Sequence, residues 1–171
     1  MAKQAWMHED GEQFKIDDVY DLERRLSLAQ GGGSTSARIR ATRASFQFVS
    51  DDVDTKVEFD NKDWDIKDEF TNGTYTAKEE GYYLITSNAV LLTNKTVFLI
   101  SISISVNDTF VNNQYTEGIT LYDLSSIRTS DTIHLNIGDK VEIWVHQNSG
   151  TDCILIGVPC PTITTIAINK I

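Results

Sequence analysis

The hydrophobic positions of this chain change their period once. Between residues 16 and 26, apolar side chains recur at intervals of three, three and four, as Ile16, Val19, Leu22 and Leu26. That spacing lays one apolar stripe along a helix, and Asp17 and Asp18 ahead of Arg24 and Arg25 order the charges to suit the helix dipole. A helix of about three turns is marginal alone in water, so it calls for copies of itself or a docking surface. From Ala37 onward the period falls to two. Ser101 to Val106 alternates polar and β-branched residues, and the stretches SFQFVS and TITTIAINKI open and close the same region. Ile133, Leu135 and Ile137, then Val141, Ile143 and Val145, alternate on two arms around Gly138-Asp139, a pattern that predicts a hairpin. About eight to ten strands, with polar turns and no helical pattern between them, predict an all-β antiparallel sandwich or barrel.

The stretch FTNGTYTAKEEGYYLITS, Phe70 to Ser87, carries its own punctuation. Asn72-Gly73 favours a tight turn with positive φ, and Glu80-Gly81 marks a second turn. Because strand side chains alternate, one residue of Tyr82-Tyr83 should face the core and the other solvent. Upstream, GGGSTS (Gly31 to Ser36) has the composition of a flexible linker and lacks the lysine of a phosphate loop. The expected organisation is an anchor or docking segment with a short helix over 1–30, a linker and basic lead-in over 31–43, and a β domain over 44–171.

Composition narrows the function. With 171 residues, 40% hydrophobic and 23% charged, the chain suits one globular domain plus an appendage. A formal net charge of −10 argues against nucleic acid as a partner. No apolar run follows Lys3 and no stretch approaches a transmembrane span, so we expect no signal peptide and no membrane insertion. Three N-x-T sequons, at Asn72, Asn94 and Asn107, are read as chance in a chain made in a cytoplasm. Cys153 and Cys160 fit neither a redox pair nor a zinc knuckle. Two free thiols and a disulfide across a hairpin both remain open.

The search for chemistry finds little. His134 and His146, on the two arms of the expected hairpin, would lie near each other, but no third ligand or nucleophile accompanies them, and His8 stands apart. No hydrolase, zincin, P-loop or dinucleotide motif is present, and the expectation is a protein that is not an enzyme. Residues 51–69 hold nine acidic side chains against three lysines. Within them Asp51, Asp52 and Asp54 are the candidate ligands for Ca²⁺, the one cofactor considered, with a merely solvated acidic loop as the other reading. Arg38, Arg40 and Arg43 alternate after the linker, suited to a stalk, an acidic neighbour or a solvated strand edge.

The spacing Phe70-x-x-Gly73-x-Tyr75, then Gly81-Tyr82-Tyr83, resembles the globular head of complement C1q, within the C1q/TNF-like jelly-roll superfamily. Val57 to Asp60 and the Leu135-x-x-Gly138-Asp139-x-Val141 segment agree in order, so the resemblance spans about residues 44–171. The last strand departs, with TTIAINKI where the animal proteins end on a Phe-Ser-Gly-Phe type strand. That departure speaks against a vertebrate immune role; bacterial and phage relatives tolerate such endings. The resemblance implies a homotrimer packed through apolar and aromatic strand faces, and Phe46, Phe48, Phe98, Tyr115, Tyr122 and Trp144 are its candidate contacts. A knob of this kind on a short linker suits a bacteriophage virion protein, either a head fibre or a capsid decoration. Trp6, Met7, Phe14, Ile16, Val19, Leu22 and Leu26 would dock on a capsid or tail protein, and the knob would face a host glycan or surface receptor. A tail-tip or tail-fibre component and a secreted ligand or adhesin are the alternatives.

Overall fold

A computed structural model of the chain describes residues 6–7, 13–14, 38–93, 97–119, 124–157 and 164–171. The chain divides into two compact units, Met1–Thr35 and Ser36–Ile171. In the first, β1 (Trp6–Met7) pairs antiparallel with β2 (Gln13–Phe14), Trp6 opposite Phe14. The helix expected over 16–26 and the glycine linker lie outside the described residues.

The second unit is an antiparallel sandwich of two sheets. Its strands are β3 (Arg38–Thr42), β4 (Gln47–Val49), β5 (Thr55–Lys56), β6 (Asn61–Asp65), β7 (Phe70–Thr71), β8 (Thr74–Thr76) and β9 (Gly81–Leu92). They continue with β10 (Val97–Val106), β11 (Thr109–Ile119), β12 (Leu124–Leu135), β13 (Lys140–Gln147), β14 (Cys153–Leu155) and β15 (Thr165–Lys170). The first sheet is built on β9, which pairs with β12 along one side and with β15 and β14 along the other. β3 and β4 lie beyond these, and β6 forms the far edge. The second sheet runs β11-β10-β13-β8-β7, with β5 also on β13. The chain shuttles between sheets, from β9 to β10, from β11 back to β12, then to β13 and again to β14. That alternation is a jelly roll.

The period-two pattern places the core between the sheets. Ile100, Ile102 and Ile104 of β10 are fully buried, as are Val141, Ile143, Tyr83, Ile85, Leu91, Ile166 and Ile168. Tyr83 points inward while Tyr82 is 58% exposed, the alternation expected of that pair. The Tyr83 ring packs against Tyr75 at 5.8 Å, and Tyr75 donates to the buried Glu69 carboxylate at 3.2 Å. Burial, with Tyr83 and Glu69 beside it, pushes the Tyr75 hydroxyl far above its ordinary range.

The predicted Asn72-Gly73 turn has the backbone it was read for. Asn72 and Gly73 sit at φ 50° and 74°, and a Cβ on Gly73 would lie 2.7 Å from the Val57 carbonyl. Asn107 and Asp108, joining β10 to β11, take φ 50° and 64°, so Asn72 and Asn107 each serve a tight turn. The Gly138-Asp139 turn is a different object from the one expected. Gly138 has φ 91°, and Asp139 accepts from the Asn136 N–H at 2.8 Å and the Asn107 amide at 2.9 Å. The arms, however, do not pair: β12 belongs to the first sheet and β13 to the second. Leu135 and Val141 face each other across the core, so equal alternation on both arms reflects an arch between sheets rather than a hairpin within one. His134 and His146 are consequently on opposite sheets.

Acid stability follows from the carboxylates that tie down the loops. Burial pulls the Asp65 carboxyl upward, but the N–H groups of Glu69 and Phe70 and the Lys62 ammonium outweigh it and hold it below the usual range. Its stabilisation is therefore full above the unfolded value near pH 4 and is lost as pH falls through the lower folded value. We predict that Asp65→Asn costs about 1–3 kcal/mol at neutral pH, measured by urea unfolding. The gap to the parent chain should narrow toward pH about 2. A gap independent of pH would mean that the carboxylate charge contributes nothing.

Candidate assembly interface

Four apolar side chains lie directly opposite one another across the first sheet. Phe48 of β4 pairs with Ile154 of β14, Ile154 with Leu92 of β9, and Leu92 with Leu124 of β12. Residues opposed in register share a face. Their neighbours Val49, Leu155 and Leu91 are fully buried in the core, so the row of four points outward. At about 4.8 Å between strands it spans roughly 15 Å. Phe48 is 71% exposed and Leu124 44%, and Phe46, at 66%, lies just before β4. A continuous apolar row on an outer face is the mark of a surface that is covered in use.

The segment carrying the phenylalanines is pinned from behind. Arg43 is buried, and its guanidinium donates to the carbonyls of Glu58 and Phe46 and to Ser45 Oγ. Asp60 accepts from the N–H groups of Ala44 and Ser45 and from the Ser45 hydroxyl. Burial raises this carboxyl's pKa, but those donors and Arg43 bring it below its ordinary value. Gln47 bridges to Lys56 O at 2.7 Å and to the Glu58 N–H at 3.1 Å. Gly157 passes so close that an added Cβ would be 2.6 Å from Ser45 O and 2.7 Å from Ala44 C. Two exposed aromatics on a segment this constrained lose little freedom on binding, which is what a preorganised contact requires.

The middle of this outer face is mostly polar. One row reads Thr42, Thr165, Asn88, Arg128; the next reads Arg40, Ala167, Thr86, Ser130. Arg40 pairs with Asp63 at 3.2 Å and lies over the Trp64 ring. A pocket of about 540 Å³ opens here, with walls that include Thr86, Asn88, Gln114, Arg128, Ser130 and Thr165. At the far end Tyr82 meets His134 edge-on at 4.9 Å, with Glu80 at 3.6 Å from the imidazole.

Of the six aromatic contacts expected from sequence, the four with described side chains do not form one patch. Phe46 and Phe48 are on the first sheet. Tyr115 and Trp144 flank Ser101 and Ser103 on the outer face of the second, where Phe110 packs against Trp144 at 6.1 Å. The two outer faces of a sandwich point away from each other, so this set cannot meet a single flat surface. The side chains of Phe98 and Tyr122 lie outside the described residues, as do those of the docking candidates Trp6, Met7 and Phe14. Ile16, Val19, Leu22 and Leu26 lie outside them altogether. Sequence reasoning missed Leu92, Leu124 and Ile154. A usable signal existed in Ala89-Val90-Leu91-Leu92, where alternation fails and apolar residues occupy both faces of one strand.

The acidic residues are distributed among separate tasks. Asp51 accepts from the Gly150 N–H at 2.7 Å, and Asp52 and Asp54 face the two ring nitrogens of His146 at 3.5 and 3.2 Å. Among the described residues no three His, Cys, Asp or Glu side chains gather as metal ligands. The Ca²⁺ expectation for Asp51, Asp52 and Asp54 therefore finds no ligand set there. Cys153 is a buried free thiol, and Cys160 lies outside the described residues.

No protein-family model matches the chain, and no curated protein does. Among solved structures it is similar to the Eiger TNF of S. frugiperda, at 13% identity and a TM-score of 0.57, covering 80% of this chain and 92% of that one. It is likewise similar to murine APRIL at pH 5.0, at 12% identity and a TM-score of 0.58, covering 80% of this chain and all of that one. A second murine APRIL structure, at pH 8.5, gives 12% identity and a TM-score of 0.56. At these identities the likeness establishes the fold: the second unit is a TNF-like jelly roll.

Proposed function

We propose that this chain is a non-enzymatic structural protein of a bacteriophage virion, a trimeric head fibre or capsid decoration. Its first unit docks on the particle and its jelly roll faces outward, toward a host glycan or surface receptor. The observation that carries the reading is the outward apolar row Phe48–Ile154–Leu92–Leu124, a reason for this sheet face to be covered by another copy. The docking role rests on the separate first unit and on the apolar Trp6, Met7 and Phe14 within it. Deleting residues 1–30 should leave a folded, self-associating knob that no longer co-sediments with particles. Retained co-sedimentation would move the anchor into the jelly roll.

The likeness to Eiger and APRIL favours a second reading, a secreted TNF-like ligand or adhesin. Imaging of labelled particles separates the possibilities. Label on the capsid supports the first reading, label at the tail moves the protein to the tail tip or fibre, and unlabelled particles favour the ligand.

A further inference from the structure

The pocket beside β12, bordered also by Gln114 of β11, holds an arginine with no counter-charge among the described residues. Of the described arginine side chains, Arg40 has Asp63 and Trp64, and Arg43 has two carbonyls and a hydroxyl. Arg128 makes one hydrogen bond, from Nε to Asn88 Oδ1 at 3.3 Å. Ser126 Oγ donates to the same oxygen at 2.9 Å. That shared acceptor holds Nε, and the terminal nitrogens of this exposed side chain have no acceptor among the described residues. Lining the same pocket are the hydroxyls of Ser130 and Thr165, the amide of Gln114 and Thr86, whose hydroxyl donates to the Ala167 carbonyl at 3.4 Å. Among the described residues no carboxylate lines the pocket, although the chain carries ten more acidic than basic residues. Hydroxyl and guanidinium donors converging without an acid are a receptor for a small oxyanion.

The position in the fold adds a second argument, which rests on the assembly reading above. Arg128 lies four residues along β12 from Leu124, and Asn88 four residues along β9 from Leu92. A copy seated on the apolar row would therefore reach the pocket, about 13 Å away along the strands. Covering an arginine without compensation is costly. We infer that the pocket binds a small tetrahedral oxyanion of the phosphate or sulfate class, and that self-association closes the pocket over it. The anion is then a structural component of the assembly, held by the terminal nitrogens of Arg128 and the hydroxyls of Ser130 and Thr165.

The test uses the full chain in a dilution series, with sodium sulfate replacing sodium chloride at constant ionic strength. The dissociation midpoint should fall about tenfold in roughly 10 mM sulfate, the worth of one charge-assisted contact. Arg128→Gln should keep the circular dichroism of the parent chain, assemble more weakly and lose the sulfate dependence. An equal response of parent and variant would be the general salting effect of sulfate and would overturn the site. A chain that assembles equally well in both salts overturns the site alone. A chain that stays single in both overturns the assembly reading and the site with it.

Discussion

Phe48→Asp will leave the sandwich folded and abolish its self-association. The side chain is 71% exposed and shares its row with Ile154, Leu92 and Leu124. Removing it from water is worth about 1.5–3 kcal/mol per copy, and each copy of a trimer contributes one. An aspartate in its place forfeits that term and buries a charge, which costs several kcal/mol more unless it is paired. The combined loss corresponds to at least about a thousandfold in association. The folded single chain gains nothing from Phe48 and should keep its unfolding midpoint within about 0.5 kcal/mol, as a surface substitution does. Sedimentation velocity and urea unfolding on the same sample check both halves. A variant that still assembles would remove the row from the interface, and Tyr115 with Phe110 on the opposite sheet would become the better candidate.

Gly157→Val should damage stability and assembly together. A Cβ at this position meets the backbone of Ala44 and Ser45 at under 3 Å, where no flexible side-chain end is available to yield. Overpacking of this kind costs about 1–3 kcal/mol even where the surroundings adjust. Here the adjustment has to come from the segment that Arg43 and Asp60 hold, the same segment that presents Phe46 and Phe48. The expected result is a lower denaturation midpoint and a weaker assembly that stabilising salts do not restore to the parent level. Loss of stability with unchanged assembly would show that the pinned geometry of residues 43–48 is irrelevant to the contact.

Much of the sandwich is legible in the sequence because its determinants are local. The faultless alternation of Ser101 to Val106 predicts a strand, and Ile100, Ile102 and Ile104 are its buried side. Asn72-Gly73 predicts positive φ, and the backbone has it at both residues. The Leu135-x-x-Gly138-Asp139-x-Val141 spacing is explained by two core residues on either side of a turn whose aspartate ties three segments together. The partner of a strand, by contrast, is set by contacts far away in sequence. Alternation on β12 and β13 is identical whether the arms pair or arch across the core, so neither the expected hairpin nor a closeness of His134 to His146 follows from it. The candidate site was only half visible for the same reason. Phe46 and Phe48 stand out by composition, but Ile154, Leu92 and Leu124 become their neighbours only through the registers of β14, β9 and β12. Arg128 carries no sequence signal; its interest lies in what the pocket around it lacks.

The proposal that copies of the chain cover the outward row is tested most directly by the mass of the protein in solution. Light scattering on the full chain at micromolar concentration should give three times the chain mass of 19.2 kDa, falling toward one as the sample is diluted. A single-chain mass that holds across the whole concentration range, with the native circular dichroism of a β sandwich, would contradict the account.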